Sequence, residues 1–166
     1  MLADRLIAYL LPLVAAACTL LLLTLAWQDL RHRRLPNKWV AALGALYLLA
    51  SPALASPLLP HLLVGLVTLL FAMVLTARGL MGGGDAKLIC VLMLWAGPEG
   101  ALATLFWITQ FGLLLALLGF AAQKGLRRGT PRWLRQPLRC LTAKRGLPYG
   151  VALACGGLIA IASQLN

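Results

Sequence analysis

From Trp39 to Ala77 the chain runs 39 residues without an Asp, Glu, Lys or Arg. A helix needs about 20 predominantly apolar residues to cross the hydrocarbon of a bilayer, so this run is too long for one crossing. Pro52, Pro57 and Pro60 divide it. Two spans result, one from Trp39 to a few residues past Ala50 and one from Leu58 to Ala77, joined by an uncharged turn.

The rest of the sequence repeats the pattern. Hydrophobic residues make up 61% of the 166 residues and charged ones 11%, with a mean hydropathy of +0.89, which excludes an ordinary water-soluble core. Leu6 to Trp27 supplies 22 residues for a first span. It ends in charges rather than in a small-residue cleavage site, so it reads as a retained helix and not as a signal peptide. Leu88 to Gln123 is broken at Gly97-Pro98-Glu99-Gly100 into a fourth and a fifth span, and a last one runs from about Leu147 to Ser163. The expectation is an all-α membrane protein, a single domain over residues 1–166 forming a polytopic bundle of about six transmembrane helices. The fourth span has only about a dozen residues between Asp85 and Gly97, or roughly 18 Å of helix. That is short of the hydrocarbon thickness, so Asp85 and the glycines before it are expected below the surface, in a wet, protein-lined recess.

Charge orients the bundle. With six spans, segments 28–38, 78–87 and 124–145 share one side and hold every Lys and Arg except Arg5. By the positive-inside rule that side is cytoplasmic and both termini lie outside. The segment at about 124–146 is strongly basic, with Trp133, Leu134, Leu138 and Leu141 interleaved. It is expected to lie on the anionic headgroups of the leaflet, and the net charge of +11 reflects such lipid contact rather than nucleic-acid binding. Cys18, Cys90, Cys140 and Cys155 are far apart, with no CxxC pair and no His at ligand spacing. Neither a disulfide framework nor a zinc site is expected.

The same topology gathers two of the four acids, Asp29 and Asp85, on the cytoplasmic side and leaves Asp4 and Glu99 outside. A carboxylate at membrane depth is expensive unless paired or hydrated, and two on one face make a candidate active site. Within about 3 to 5 Å of each other, repulsion and desolvation keep one protonated while the other ionises. The ionised member then takes a proton from an attacking water and the protonated one donates to a scissile carbonyl, with no metal or cofactor. Gly82-Gly83-Gly84 strip the backbone ahead of Asp85, so another segment can come close. Plainer readings stand beside this one. Asp85 also suits the N-cap of the fourth span, and Asn37, after Pro36, the cap of the second. Asp29 suits an interfacial counter-ion for Arg31, Arg33 or Arg34. His32 and His61 have no placed acidic partner and read as non-catalytic. Two acids also suit proton or cation binding in a small transporter or assembly scaffold, although no internal repeat is evident.

These residues carry a resemblance. Asp29 with the basic stretch and Leu35-Pro36-Asn37 behind it, followed by Gly82-Gly83-Gly84-Asp85-Ala86-Lys87-Leu88, resembles the paired signature of the type IV prepilin peptidases, membrane aspartic proteases of the GxGD class. Leu147-Pro148-Tyr149-Gly150 is similar to a Pro-aromatic-Gly element near that family's C-terminus. The resemblance implies removal of prepilin or pseudopilin leader peptides at the cytoplasmic face of a bacterial inner membrane, with Asp29 and Asp85 as the catalytic pair. Long members carry an insert with paired CxxC motifs associated with N-methylation. Those motifs do not occur here and there is no room for the insert between Asp29 and Pro36, so the chain resembles the short branch linked to Flp-type, tight-adherence pili, with no methyltransferase activity expected. A presenilin-type intramembrane protease shares GxGD but sets its first Asp deeper, after a Tyr. Here Trp27-Gln28 precede Asp29 and charges follow at once, which favours a juxtamembrane cut. Gly82, Gly83, Gly84, Lys87, Arg31, Arg33 and Arg34 are expected to contact the substrate, the basic ones reading an acidic group just after the cut.

Overall fold

The computed structural model describes residues 2–54, 57–125 and 148–165, side chains at 2–8 and 122–125 excepted. Within them the chain is all helical: α1 (Leu2–His32), α2 (Asn37–Ala50), α3 (Leu58–Ala77), α4 (Gly83–Gly125) and α5 (Tyr149–Leu165). Three stretches are long and apolar enough to cross a membrane, Tyr9–His32, Leu58–Ala77 and Gly83–Ala121, and Tyr149–Leu165 is a shorter apolar helix. Their outer faces stay apolar. Leu62, Leu66, Leu70 and Phe71 on α3, and Leu102, Leu113 and Leu117 on α4, are exposed, a surface suited to lipid rather than water.

α4 is two helices in one run. At Gly97 the backbone takes φ 64° and ψ −175°, a region open essentially to glycine alone. Contacts with α5 show that the break reverses the chain. Gly157 packs against Leu92 ahead of the break and Gly156 against Ile108 beyond it. At the ends of α5, Gln164 reaches the Ala96 carbonyl at 3.2 Å and Tyr149 meets Gly112. The first limb, 83–96, therefore runs parallel to α5 and the second, 98–125, antiparallel. A side chain at Gly156 or Gly157 would run into Ile108 or Leu92, so these two glycines let α5 sit against both limbs at once.

The reversal is stabilised by its neighbours. Pro98 has no N–H to offer the carbonyl of Leu94 one turn earlier. Buried His61 of α3 substitutes, its Nδ1 lying 2.9 Å from that oxygen. Because a carbonyl only accepts, the ring proton is on Nδ1. Tyr47 of α2 stacks on His61 with centroids 5.5 Å apart and meets Trp95 edge-on at 5.3 Å. Trp95 in turn donates from Nε1 to the Leu43 carbonyl at 3.1 Å. This cluster ties α2, α3 and the first limb together at one end of the bundle.

At the opposite end the connections are short. α3 closes with Gly79 at φ 72°, its N–H bonded to Thr76 O and that of Leu80 to Leu75 O, both at 2.9 Å. This paired pattern satisfies the last carbonyls of a helix through a left-handed residue. α1 turns at Arg33, which is left-handed with φ 54° and bonded from its N–H to Asp29 O at 3.0 Å. Two expectations need correction. α1 continues through His32 rather than ending at Trp27, so Asp29 stands on a helix. Asn37 does not cap α2. Pro36 occupies the cap position without a side-chain bond, and Asn37 Oδ1 instead accepts from Lys87 Nζ at 3.1 Å. Beyond Gly125, the basic segment expected on the headgroups lies outside the described residues.

A Cβ at Gly97 would overlap the His61 ring. Gly97→Ala is therefore expected to destabilise the protein by about 3 kcal/mol, combining a forbidden backbone region with overpacking. Thermal unfolding in detergent checks this. His61→Ala alone should also destabilise, yet in the Gly97→Ala background it should recover part of the loss. Strictly additive effects would contradict the contact.

Candidate active site

α1, α4 and α5 meet at the end of the bundle that holds the short connections. α5 begins at Tyr149, after buried Pro148, which has no side-chain oxygen to offer the free amides of a helix start. Asp29 fills that role from α1. The Gly150 N–H donates to Asp29 Oδ2 at 2.8 Å across 121 positions of sequence. An anion is favoured there by the unpaired amides and by the helix dipole together. A Cβ at Gly150 would lie 2.9 Å from Cβ, Cγ and Oδ2 of Asp29. Glycine at 150 is thus what admits the carboxylate to the helix end.

Asp85 lies in the first turn of α4. The Ala86 N–H bonds Gly82 O at 3.0 Å, which makes Gly82 the residue before the helix and places Asp85 inside it rather than at its cap. The three glycines differ in what surrounds them. A Cβ on Gly82 would stand 3.0 Å from Asp85 Oδ2 and one on Gly84 3.1 Å from Leu35 Cβ, whereas one on Gly83 would meet Thr76 Cγ2 at an ordinary 3.9 Å. Room is therefore needed at Gly82 for the Asp85 carboxylate and at Gly84 for the α1–α2 connection.

Between these parts lies a cavity of about 540 Å3. Asp29, Arg33, Arg34, Leu35, Pro36 and Asn37 line it on one side, and Gly82, Gly83, Gly84 and Asp85 on the other. Asp29 is buried, at 7% exposure. Asp85 is half-buried, and the two carboxylates are near enough to act on each other through space. Arg33, turned back by its left-handed backbone, acts on Asp29 in the same way. Two residues expected to face a substrate do not join the lining. The Arg31 guanidinium lies over the Trp27 ring, 5.3 Å from its centroid, and exposed Lys87 is engaged with Asn37. Among the described residues no group of three or more His, Cys, Asp or Glu is placed to hold a metal ion. Two carboxyl groups in unequal surroundings beside one cavity can divide the work of general acid and general base.

If Asp29 caps α5, its substitutions should rank by hydrogen bonding. Asn keeps an oxygen for Gly150 and is expected to fold nearly as the parent does. Ala leaves the buried Gly150 amide unpaired and is expected to lower stability by about 1 to 2 kcal/mol. Thermal unfolding of Asp29→Asn beside Asp29→Ala reads this, and equal losses would argue against the cap.

Over 140 residues the sequence is 31% identical to the prepilin leader peptidase/N-methyltransferase of Xanthomonas campestris pv. campestris, an alignment covering 79% of this chain and 43% of the relative. The chain thus spans less than half the length of that relative. No solved structure matches. Residues 16–117, which include both Asp29 and Asp85, match the type IV leader peptidase family, and the chain belongs to that family.

Proposed function

We propose that this protein is a membrane aspartic endopeptidase that removes the leader peptides of prepilins or pseudopilins at the cytoplasmic face of the inner membrane. The observation that carries the reading is the cavity shared by Asp29 and Asp85 in a chain of this family. The relative named a prepilin leader peptidase supports the substrate class. Asp29 and Asp85 share one proton. The ionised member takes a proton from water as its oxygen attacks the scissile carbonyl, while the protonated member donates to the carbonyl oxygen; when the diol collapses, the proton taken from water passes to the leaving amine and the other Asp regains its proton from the diol hydroxyl. The pair titrates as a unit. No metal, cofactor or covalent intermediate takes part, and no methyltransferase activity is assigned to a chain without CxxC motifs.

The topology proposed is of six spans: α1, α2 with the turn after it, α3, the two limbs of α4, and α5. Connections 33–36 and 78–82 and the long segment after α4 then lie at the cavity end with almost all of the basic residues. The positive-inside rule makes that end cytoplasmic and leaves both termini outside. The first limb of 83–96 is about 21 Å long, which sets Asp85 below the surface in a recess that water reaches through the cavity. Segment 124–146 rests on anionic lipid, Arg33 and Arg34 favour an acidic group on the substrate, and the protein serves Flp-type pilus assembly.

Leader removal from a prepilin substrate in membranes, followed by mass shift, tests the proposal. Asp29→Asn and Asp85→Asn are each expected to lower the rate by about 10²- to 10⁴-fold with folding retained. Full processing by both variants would overturn the mechanism. The wild-type rate should be bell-shaped in pH. It falls on the acid side as the base becomes protonated and on the alkaline side as the acid loses its proton.

A further inference from the structure

The Lys87 ammonium donates to Asn37 Oδ1 at 3.1 Å across 50 positions of sequence. This bond joins the two walls of the cavity directly. Asn37 and the connection before it form one wall, and the first turn of α4 with Asp85 forms the other. The charge that acts on Asp85 through space is that of Asp29. Lys87 lies two residues beyond Asp85, and side chains two apart on a helix do not face each other. Pairing with that carboxylate is therefore not its part.

Lys87 and Gly84 are three residues apart and so adjoin on one face of α4. Leu35 lies against Gly84, where a Cβ would stand 3.1 Å from the leucine Cβ, and Asn37 lies against Lys87. Pro36 between them is extended, with φ −66° and ψ 125°, which separates Leu35 from Asn37 by about 6.5 Å. Gly84 and Lys87 are separated by about 4.5 Å of helical rise. The connection thus meets α4 at two points, one steric and one polar. Its other end is tied to α1, where the Arg33 N–H bonds Asp29 O at 3.0 Å and the Arg33 charge acts on the Asp29 carboxylate. Residues 33–37 therefore bridge the helix of one acid to the helix of the other.

Taking the proposed peptidase reading as its basis, we infer that Lys87 is a positioning residue: through Asn37 it holds connection 33–37 against α4 and so sets the width of the cavity across which Asp29 and Asp85 act on one peptide bond. The Leu35–Gly84 contact limits how near the connection can come, and the hydrogen bond limits how far it can withdraw. Acid, base and carbonyl must be aligned together, and a misplacement of about 1 Å costs about 10²-fold in rate. Lys87 and Asn37 are both exposed, so their bond adds little to stability. Its removal is felt in turnover rather than in folding.

The test uses the full-length protein in detergent, with one prepilin substrate and a version of it in which the acidic residue nearest the cut is neutralised. Lys87→Met removes the donor and keeps the length of the side chain. It is expected to lower kcat about tenfold on both substrates, with KM within about twofold of the parent's and an unchanged melting temperature. Asn37→Ala should do the same, and the double variant should be no slower than either single one, since all three lose the same bond. Lys87→Arg keeps a donor and should recover most of the rate. The anchor is also read without substrate, because Lys87→Met should speed hydrogen exchange of the amides at 33–39 at least about threefold. A KM rise confined to the acidic substrate would make Lys87 a substrate contact and overturn the positioning role. Parental kcat in Lys87→Met, a double variant whose losses multiply, or unchanged exchange would overturn it too. In each of these cases cleavage by the parent leaves the peptidase reading intact. A folded parent that cleaves neither substrate overturns that reading and the positioning role with it.

Discussion

The carboxylate of Asp29 on the Gly150 amide of α5 joins residues 121 positions apart, and the rest of the site is placed relative to it. α5 has no cap of its own because Pro148 precedes it, and it packs through Gly156 and Gly157 on both limbs of α4. Fixing the start of α5 therefore fixes the helix against which Asp85 is registered. Burying a carboxylate in a bundle that faces lipid is unfavourable unless donors replace its water. The Gly150 amide is such a donor, and it is already oriented before any substrate arrives. One interaction thus closes the fold and sets one half of the candidate acid pair.

The other half depends on the far end of the bundle. Gly97 and Pro98 stop the first limb of α4, and His61 takes over the Leu94 carbonyl that Pro98 cannot serve. Gln164 does the same for Ala96. With that end held, the length of the limb sets how far from the break Asp85 stands, and it reaches the cavity that Asp29 also lines.

Much of this was legible in the sequence because bilayer physics writes long signals. Uncharged runs, Pro52, Pro57, the Gly97-Pro98 break and the two isolated acids all point to helices and to one shared end. What escaped was the contact across sequence. Nothing local in residues 28–38 says that Asp29 will cap a helix starting at Tyr149, and nothing local at Asn37 says that Lys87 will claim its side chain before α2 does. The end of α1 escaped for a related reason. Charges after Trp27 suggested a loop, yet Arg31 and His32 are favourable in a last helical turn, so the helix runs on. Pro98 did carry a readable signal that went unused, since a proline one turn after Leu94 announces a carbonyl in need of a donor.

The glycines show most clearly why a motif is more than its composition. Three in a row looked like a stretch of bare backbone open to any neighbour. In the structure Gly84 is bare for Leu35 and Gly82 for the carboxylate of Asp85, while Gly83 has ordinary space around it. Gly150, far away in sequence, belongs with the first two because it is bare for Asp29. A carboxylate needs both a donor and a clear approach, and in a tightly packed bundle the approach is the scarcer of the two. The site is thus assembled by leaving out side chains at three defined points around two acids, and the spacing of those omissions, rather than their number, carries the design.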